Sequence, residues 1–389
     1  MKGLATGGCV LSQSPMGILS GALSKRCARL TVGNIYYDTL TVKIIQLFTA
    51  YKEKLMSELI ERLIQKASLL DKKIVLTEGE DERVVKAAAE TVKRHIARIV
   101  LLGNPEQIAK NNPDVDLGGV EIIDPVTSPK LQEYADLLYE LRKAKGMTPE
   151  QALETAKEST YFGTLMLKAG DVDGLVSGAC HSTANTLRPG LQIIKMPKGV
   201  PLVSSFFLMI APEGGNQYCK DGAFVFSDCG LEPNPDADKL AYIAVAAAKS
   251  AKTLADLEPR VAMLSFSTKG SAKHDDVSKV EEATAKAKAL APDVNIDGSL
   301  QFDAAIVPSV AAKKAPGSPV AGKANVLIFP DLDAGNIGYK IAERLGGFTA
   351  VGPLCQGFAK PMNDLSRGCK SEDIVLAVAM TALQTQISW

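Results

Sequence analysis

Histidine is scarce in this chain: His95, His181 and His274 are the only three among 389 residues. That leaves few candidates for zinc ligation or for a Ser-His-Asp triad. The seven cysteines are an odd set with no CxxC pair, which argues against a disulfide framework and against zinc-ligand spacing. No stretch approaches the roughly 18 apolar residues of a membrane span, and the expected compartment is the reducing cytoplasm. Excess charge of either sign is absent, with 44 basic and 44 acidic side chains. The balance gives no electrostatic case for nucleic acid or an anionic membrane, although a local basic pocket can sit inside a neutral total.

Nucleotide and nucleophile signatures are missing as well. No GxGxxG follows a strand. The segment Gly317 to Ala324 comes near a P-loop, but Ala324 replaces the hydroxyl residue and the segment precedes a strand. Gly174 to Gly178 has the wrong spacing for a nucleophile elbow. No internal repeat stands out.

What is present is an ordinary globular composition, 46% hydrophobic and 23% charged, at a length that suggests two domains. Residues 1–55 show Gly and Ser clusters without sustained periodicity and read as a poorly ordered extension, with Met56 a candidate natural start. From Ser57, expected to cap a helix, apolar positions alternate between helical and strand spacing. Helices are predicted at 130–145, 149–169, 183–195, 236–252, 275–290, 335–345 and 372–387. Strands are predicted at 74–76, 99–102, 175–176, 203–211, 223–228, 261–266 and 325–329. Alternation of this kind implies an α/β fold of layered helices around mostly parallel sheets. Junctions at 196–201 and 346–361 suggest a discontinuous first domain, 56–199 plus 355–389, and a second domain, 200–354.

Open parallel sheets bind ligands beyond the carboxyl ends of their strands. Three expected strand-to-helix loops are rich in small polar residues: Ser177 to Gly190, with Ser182, Thr183 and Arg188; Ser265 to Ser271, with Lys269; and Pro330 to Asn336. Each alone reads as an ordinary turn. Three together, two carrying a cation, favour a phosphorylated ligand. The run Asn363 to Asp373 compresses polar chemistry into a turn and a helix start. Ser371 is expected to cap that helix, with Glu372 and Asp373 in its first turn, where acids usually just complement the helix dipole. Cys369 reads as packed rather than nucleophilic.

The run Asn363 to Asp373, preceded by Gly357 to Pro361, resembles the C-terminal block of the phosphate acetyl/butyryltransferase family. Leu300 to Pro308, Asn325 to Lys340, Ser265 to Ala272 and Ser182 to Gly190 are similar to further blocks, so the resemblance covers residues 56–389. It implies two α/β/α domains like those of isocitrate and isopropylmalate dehydrogenases, an active-site cleft between them and a homodimer. It also implies reversible acetyl transfer between coenzyme A and inorganic phosphate through a ternary complex. Acetyl-CoA, phosphate and acetyl phosphate would be substrates, with no tightly bound cofactor and no metal. By motif, Asp373 matches the proposed general base, Arg367 the phosphate-binding arginine and Ser366 a transition-state donor. Arg142 and Arg188 match arginines implicated in coenzyme A binding. A carboxylate is a weak base for a thiol of pKa about 8.5, so Asp373 is expected in a partly dry cleft. Phosphate butyryltransferase, a regulatory acetyl-CoA-binding domain and a metal-dependent dehydrogenase of the same fold remain as alternatives.

Overall fold

The computed structural model describes residues 29–32, 35–38, 59–212 and 215–389. The chain divides into two compact units, Met1–Glu53 and Lys54–Trp389. In the first, β1 (Arg29–Val32) and β2 (Ile35–Asp38) form an antiparallel hairpin. Met56 and Ser57, the expected start and cap, lie outside the described residues.

The second unit opens with helix α1, described over residues 59–68. There follow β3 (Lys73–Leu76), α2 (Glu82–Lys93), β4 (Arg98–Leu102), α3 (Pro105–Asn111), β5 (Glu121–Ile123), α4 (Leu131–Arg142), α5 (Pro149–Ala156), α6 (Ser159–Ala169), β6 (Gly174–Ser177) and α7 (Thr183–Pro189). Next come β7 (Ser204–Ile210), β8 (Ala223–Ser227), α8 (Ala237–Ala255), β9 (Arg260–Leu264), α9 (Asp275–Leu290), β10 (Asn295–Leu300), α10 (Phe302–Ile306), α11 (Pro308–Lys314), β11 (Val326–Ile328) and α12 (Leu332–Arg344). The chain closes with β12 (Thr349–Gln356), β13 (Met362–Asp364) and α13 (Ser371–Gln384).

A five-stranded sheet of order β13-β6-β3-β4-β5 is parallel throughout. Its strands are apolar on both faces because helices cover both. Ile74, Leu76, Ile99 and Leu101 pack into the core with α1, α2 and α13. Val75, Val100 and Leu102 pack on the other face with α4, α5 and α6. A six-stranded sheet of order β10-β9-β11-β8-β7-β12 is parallel from β10 to β8 and antiparallel at β7 and β12. The core containing α13 continues without a break through α8 and α9 to Val225, Val261 and Val326 of this second sheet. Helix α13 is buried from Ile374 through Gln384, as a helix apolar on every side must be.

The predicted helices and strands are all present, with two corrections of detail. The helix expected over 149–169 is two helices, because Glu158 adopts an extended backbone and restarts the chain as α6. The cap of α13 is Lys370, not Ser371, which lies inside the first turn. The segment 346–361, predicted as a junction, contains the eight-residue edge strand β12. Its Pro353 is tolerated because an edge strand leaves one row of backbone groups unpaired.

At the passage between the sheets, Gln356 and Asn363 organise a buried polar network. The Gln356 amide donates to Ser204 Oγ and Ser227 Oγ at 2.9 and 3.2 Å and accepts from Ser250 Oγ at 3.0 Å. Asn363 accepts from Cys355 N at 2.7 Å and donates to Thr381 Oγ1 and Gln384 Oε1, both at 2.7 Å. Each buried amide is thereby satisfied, which offsets its desolvation.

Candidate active site

The carboxyl ends of β3, β6 and β13 lie side by side, and their loops build the site. Asp364 of β13 pairs with Ser177 of β6, and Leu365 N donates to Ser177 O at 2.7 Å. The approach is so close that a Cβ on Gly178 would fall 2.2 Å from Asp364 Oδ1 and 2.7 Å from Leu365 N. With φ at +107°, Gly178 has a conformation that only glycine adopts without strain.

Glu78, just past β3, is 1% exposed. Its Oε2 accepts from Ala179 N at 2.7 Å, and its Oε1 accepts from Cys180 N at 2.9 Å and contacts His181 Nδ1 at 2.7 Å. A carboxylate inside a loop thus gathers the backbone donors of the chain leading into α7. Asp364, 2% exposed, sits beneath the same loop. Burial pushes its carboxyl up to about 6, while the neighbouring Thr183 and Thr186 hydroxyls pull it down. Its Oδ1 and Thr186 Oγ1 complete no hydrogen bond.

The three loops are tied by Arg83. Its Nε and Nη2 donate to Asp81 at 3.0 and 2.7 Å. Nη2 also donates to Ala179 O at 2.9 Å, and Nη1 to Arg367 O and Cys369 O, both at 2.8 Å. The guanidinium holds the Asp81 carboxyl down to about 2.

Ser366, Arg367 and Gly368 are exposed beyond β13. Ser366, Lys370 and Asp373 line one groove with Tyr339 and Arg344 of α12 and Pro353 of β12. Its volume of about 370 Å³ falls within the ~300–1,000 Å³ of small-molecule sites. Asp373 is exposed, not in the partly dry setting expected. Its Oδ2 turns back to accept from Lys370 N at 2.8 Å, capping its own helix.

A second cavity, lined by Glu80, Tyr161, His181, Asn185 and Arg188, opens beside the last turn of α7. Arg188 lines this cavity, and it and Arg142 both act electrostatically on the Tyr161 phenol. Arg142 Nε is buried without a partner. Ser182 caps α7 by accepting from Asn185 N at 3.3 Å, and Thr183 faces Asp364. Thr183 and Arg188 are five residues apart, or roughly 7.5 Å along a helix, so α7 runs from the buried Asp364 to the second cavity.

Lys269 stands apart from both. Its Nζ donates to the buried Asp297 carboxylate at 2.5 Å and to Gly298 O at 2.9 Å, and it lines a different cavity with Lys314 and Ser318. All three predicted loops do follow parallel strands, but only the β6–α7 loop adjoins Ser366. Asp331 caps α12 by accepting from Ala334 N at 2.8 Å. Among the described residues no group of His, Cys, Asp and Glu could hold a metal.

Sequence reasoning assigned Glu78, Asp81 and Arg83 no role. Tyr161, Arg344 and Asp364 were also missed, because their value lies in partners from distant segments. The described thiols are all unsuited to nucleophilic attack. Burial pushes Cys369 up to about 11 and Cys180 and Cys219 up to about 12, and it raises Cys229 and Cys355 as well.

The family model for phosphate acetyl/butaryl transferase matches residues 58–382. The phosphate acetyltransferase of Thermoanaerobacterium thermosaccharolyticum is 55% identical over 328 residues, covering 84% of this chain and 99% of the relative. That of Acetivibrio thermocellus is 55% identical over 327 residues, covering 84% and 98%. A solved phosphotransacetylase from Staphylococcus aureus, 48% identical, superposes with a TM-score of 0.78 over 85% of this chain and 99% of its own. The chain belongs to the phosphate acetyl/butyryltransferase family.

Proposed function

We propose that this chain transfers acetyl groups reversibly between coenzyme A and inorganic phosphate: acetyl-CoA + phosphate ⇌ CoA + acetyl phosphate. The observation that carries the mechanism is the sharing of one groove by Ser366 and Asp373, with Arg367 on the loop between them.

In the direction of acetyl-CoA formation, the Asp373 carboxylate takes the proton of the coenzyme thiol. The thiolate sulfur then attacks the carbonyl carbon of acetyl phosphate, and the carbon–oxygen bond to phosphate breaks. Ser366 donates to the carbonyl oxygen as negative charge builds there, and Arg367 holds the departing phosphate. Both substrates are held together in the groove, which supplies the proximity term. High thiol pKa values support direct transfer over a cysteinyl intermediate. Arg142 and Arg188 would take the phosphates of coenzyme A beside Tyr161, with Ser182 and Thr183 at the start of the connecting helix. Coenzyme A is a substrate here, not a resident cofactor.

The Lys269 ammonium is already engaged by Asp297, in a cavity apart from Ser366 and Asp373. The two sheets support two domains, 56–199 with 355–389 and 200–354, although β12 runs two residues past the second boundary. A homodimer is supported by the exposed apolar stripe of Ile337 and Ile341 on α12 and Leu345 just past its end. A cytoplasmic location agrees with the absence, among the described residues, of any helix long and apolar enough to cross a membrane.

A metal-free assay for phosphate-dependent release of free thiol from acetyl-CoA tests the reading. No release would sink it. A series of acyl-CoA chain lengths separates acetyl from butyryl transfer.

A further inference from the structure

Among the described residues, the guanidinium of Arg83 is the one cation that touches all three loops of the site, and it has nothing left to give a substrate. An arginine carries five N–H donors in a rigid fork. Here they make five contacts: Nε to Asp81, Nη2 to Asp81 and to Ala179 O, and Nη1 to Arg367 O and to Cys369 O. The two carbonyls held by Nη1 flank Gly368, in the loop that carries Ser366 and Arg367.

That loop has little else to fix it. Ser366, Arg367 and Gly368 are exposed, and its internal hydrogen bonds are Gly368 N to Ser366 Oγ at 3.3 Å and Cys369 N to Ser366 O at 2.9 Å. Asp81, in turn, fixes the fork from the other side. It caps α2 by accepting from Arg83 N at 2.8 Å and binds the guanidinium through both oxygens. The clamp therefore runs from the start of α2, through Arg83, to the backbone on both sides of Gly368.

We propose that Arg83 is a positioning residue for acetyl transfer, which holds the Ser366–Arg367 loop in register with the β6–α7 loop and does not itself bind substrate. The proposal rests on the acetyl-transfer reading for its kinetic readout. Every donor of the fork is occupied, so contact with a phosphate would require breaking the clamp. Loss of the clamp leaves Ser366 and Arg367 on a looser loop, and misplacement of a reacting group by about 1 Å can cost 10²-fold in rate.

The test compares the parent, Arg83→Ala and Arg83→Lys by thermal melting, by steady-state kinetics in the thiol-release assay, and by hydrogen exchange of the peptide spanning 365–373. The expected result for Arg83→Ala is a folded protein with kcat reduced about 100-fold and KM for coenzyme A within about threefold of the parent. Its 365–373 amides should exchange faster, and guanidinium chloride at a non-denaturing concentration should restore part of kcat. Arg83→Lys, whose ammonium cannot span the fork, should stay well below the parent. The proposal is overturned if kcat stays near the parent value, or if KM for coenzyme A rises while kcat holds, which would make Arg83 a binding residue. Unchanged exchange of 365–373 overturns it too. If Arg83→Ala does not fold, the same criteria apply to Arg83→Lys. An inactive parent would refute the acetyl-transfer reading instead, and the exchange comparison would still decide the clamp.

Discussion

Glu78 Oε1 lies 2.7 Å from His181 Nδ1, while the two oxygens of the same carboxylate accept from Ala179 N and Cys180 N. One buried acid after β3 thus sets the path of the chain that leads from β6 into α7. Glu78→Gln would put an amide N–H₂ where an acceptor is required. The expected outcome is a loss of about 1–3 kcal/mol of stability together with a raised KM for coenzyme A, read by chemical denaturation and steady-state kinetics.

Gly178→Ala should be among the most damaging small substitutions in the first sheet. The added Cβ would meet Asp364 Oδ1 at 2.2 Å, in a backbone conformation at φ +107° that alanine resists. A loss of about 3 kcal/mol or more is expected. A melting temperature equal to the parent's would contradict the close approach of β6 and β13.

Asp373→Asn keeps an oxygen that can accept from Lys370 N, so the cap of α13 survives while the proposed base is removed. Activity should fall by about 10²–10⁴-fold in kcat with little change in KM. A variant altered only in KM would remove Asp373 from proton transfer.

Asp364 gives a prediction in pH. Burial raises its carboxyl from 3.8 to about 6, so between those values the folded protein holds a proton that the unfolded chain has lost. Stability contributed by this group therefore falls as pH rises through that window, to a cost on the order of 3 kcal/mol above it. Asp364→Asn removes the cost. The variant should gain on the parent as pH rises from 4 to 7 and show no such gain below pH 4, measured as melting temperature against pH.

Cys369→Ala should retain activity, because burial holds the thiol up to about 11 and direct transfer does not use it. Complete inactivity in the thiol-release assay, with a folded protein, would point to a covalent intermediate.

Elements with a repeating apolar pattern were legible before the structure was known. Strands β3, β4, β7 and β8 and helices α8 and α13 all announce themselves by runs of Val, Ile, Leu, Phe or Ala. Strand β10 did not, because its sequence is Asn295-Ile296-Asp297-Gly298-Ser299-Leu300 and its buried positions include Asp297 and Ser299. Such a strand is stabilised by partners elsewhere, here Lys269, Lys288 and Ser318 around Asp297. Strand β12 was hidden by Gly352-Pro353, which reads as a linker unless its edge position is known. Residues 363–373 stood out as a motif, yet the clamp on them did not, since Arg83 is 284 residues from Arg367. The exposure of Asp373 was equally invisible, as it depends on which way one carboxylate turns at a helix end.

The pairing of Ser204 with Gln356 places the two ends of a 153-residue segment on neighbouring strands, only about 4.8 Å apart. The segment thus leaves and re-enters one strand's width apart, while its helices α8 and α9 share a core with α13 and its α12 helps to line the groove of Ser366 and Asp373. Loops of that segment far from α8, α9 and α12 can therefore change length without touching either the entry or the exit strand.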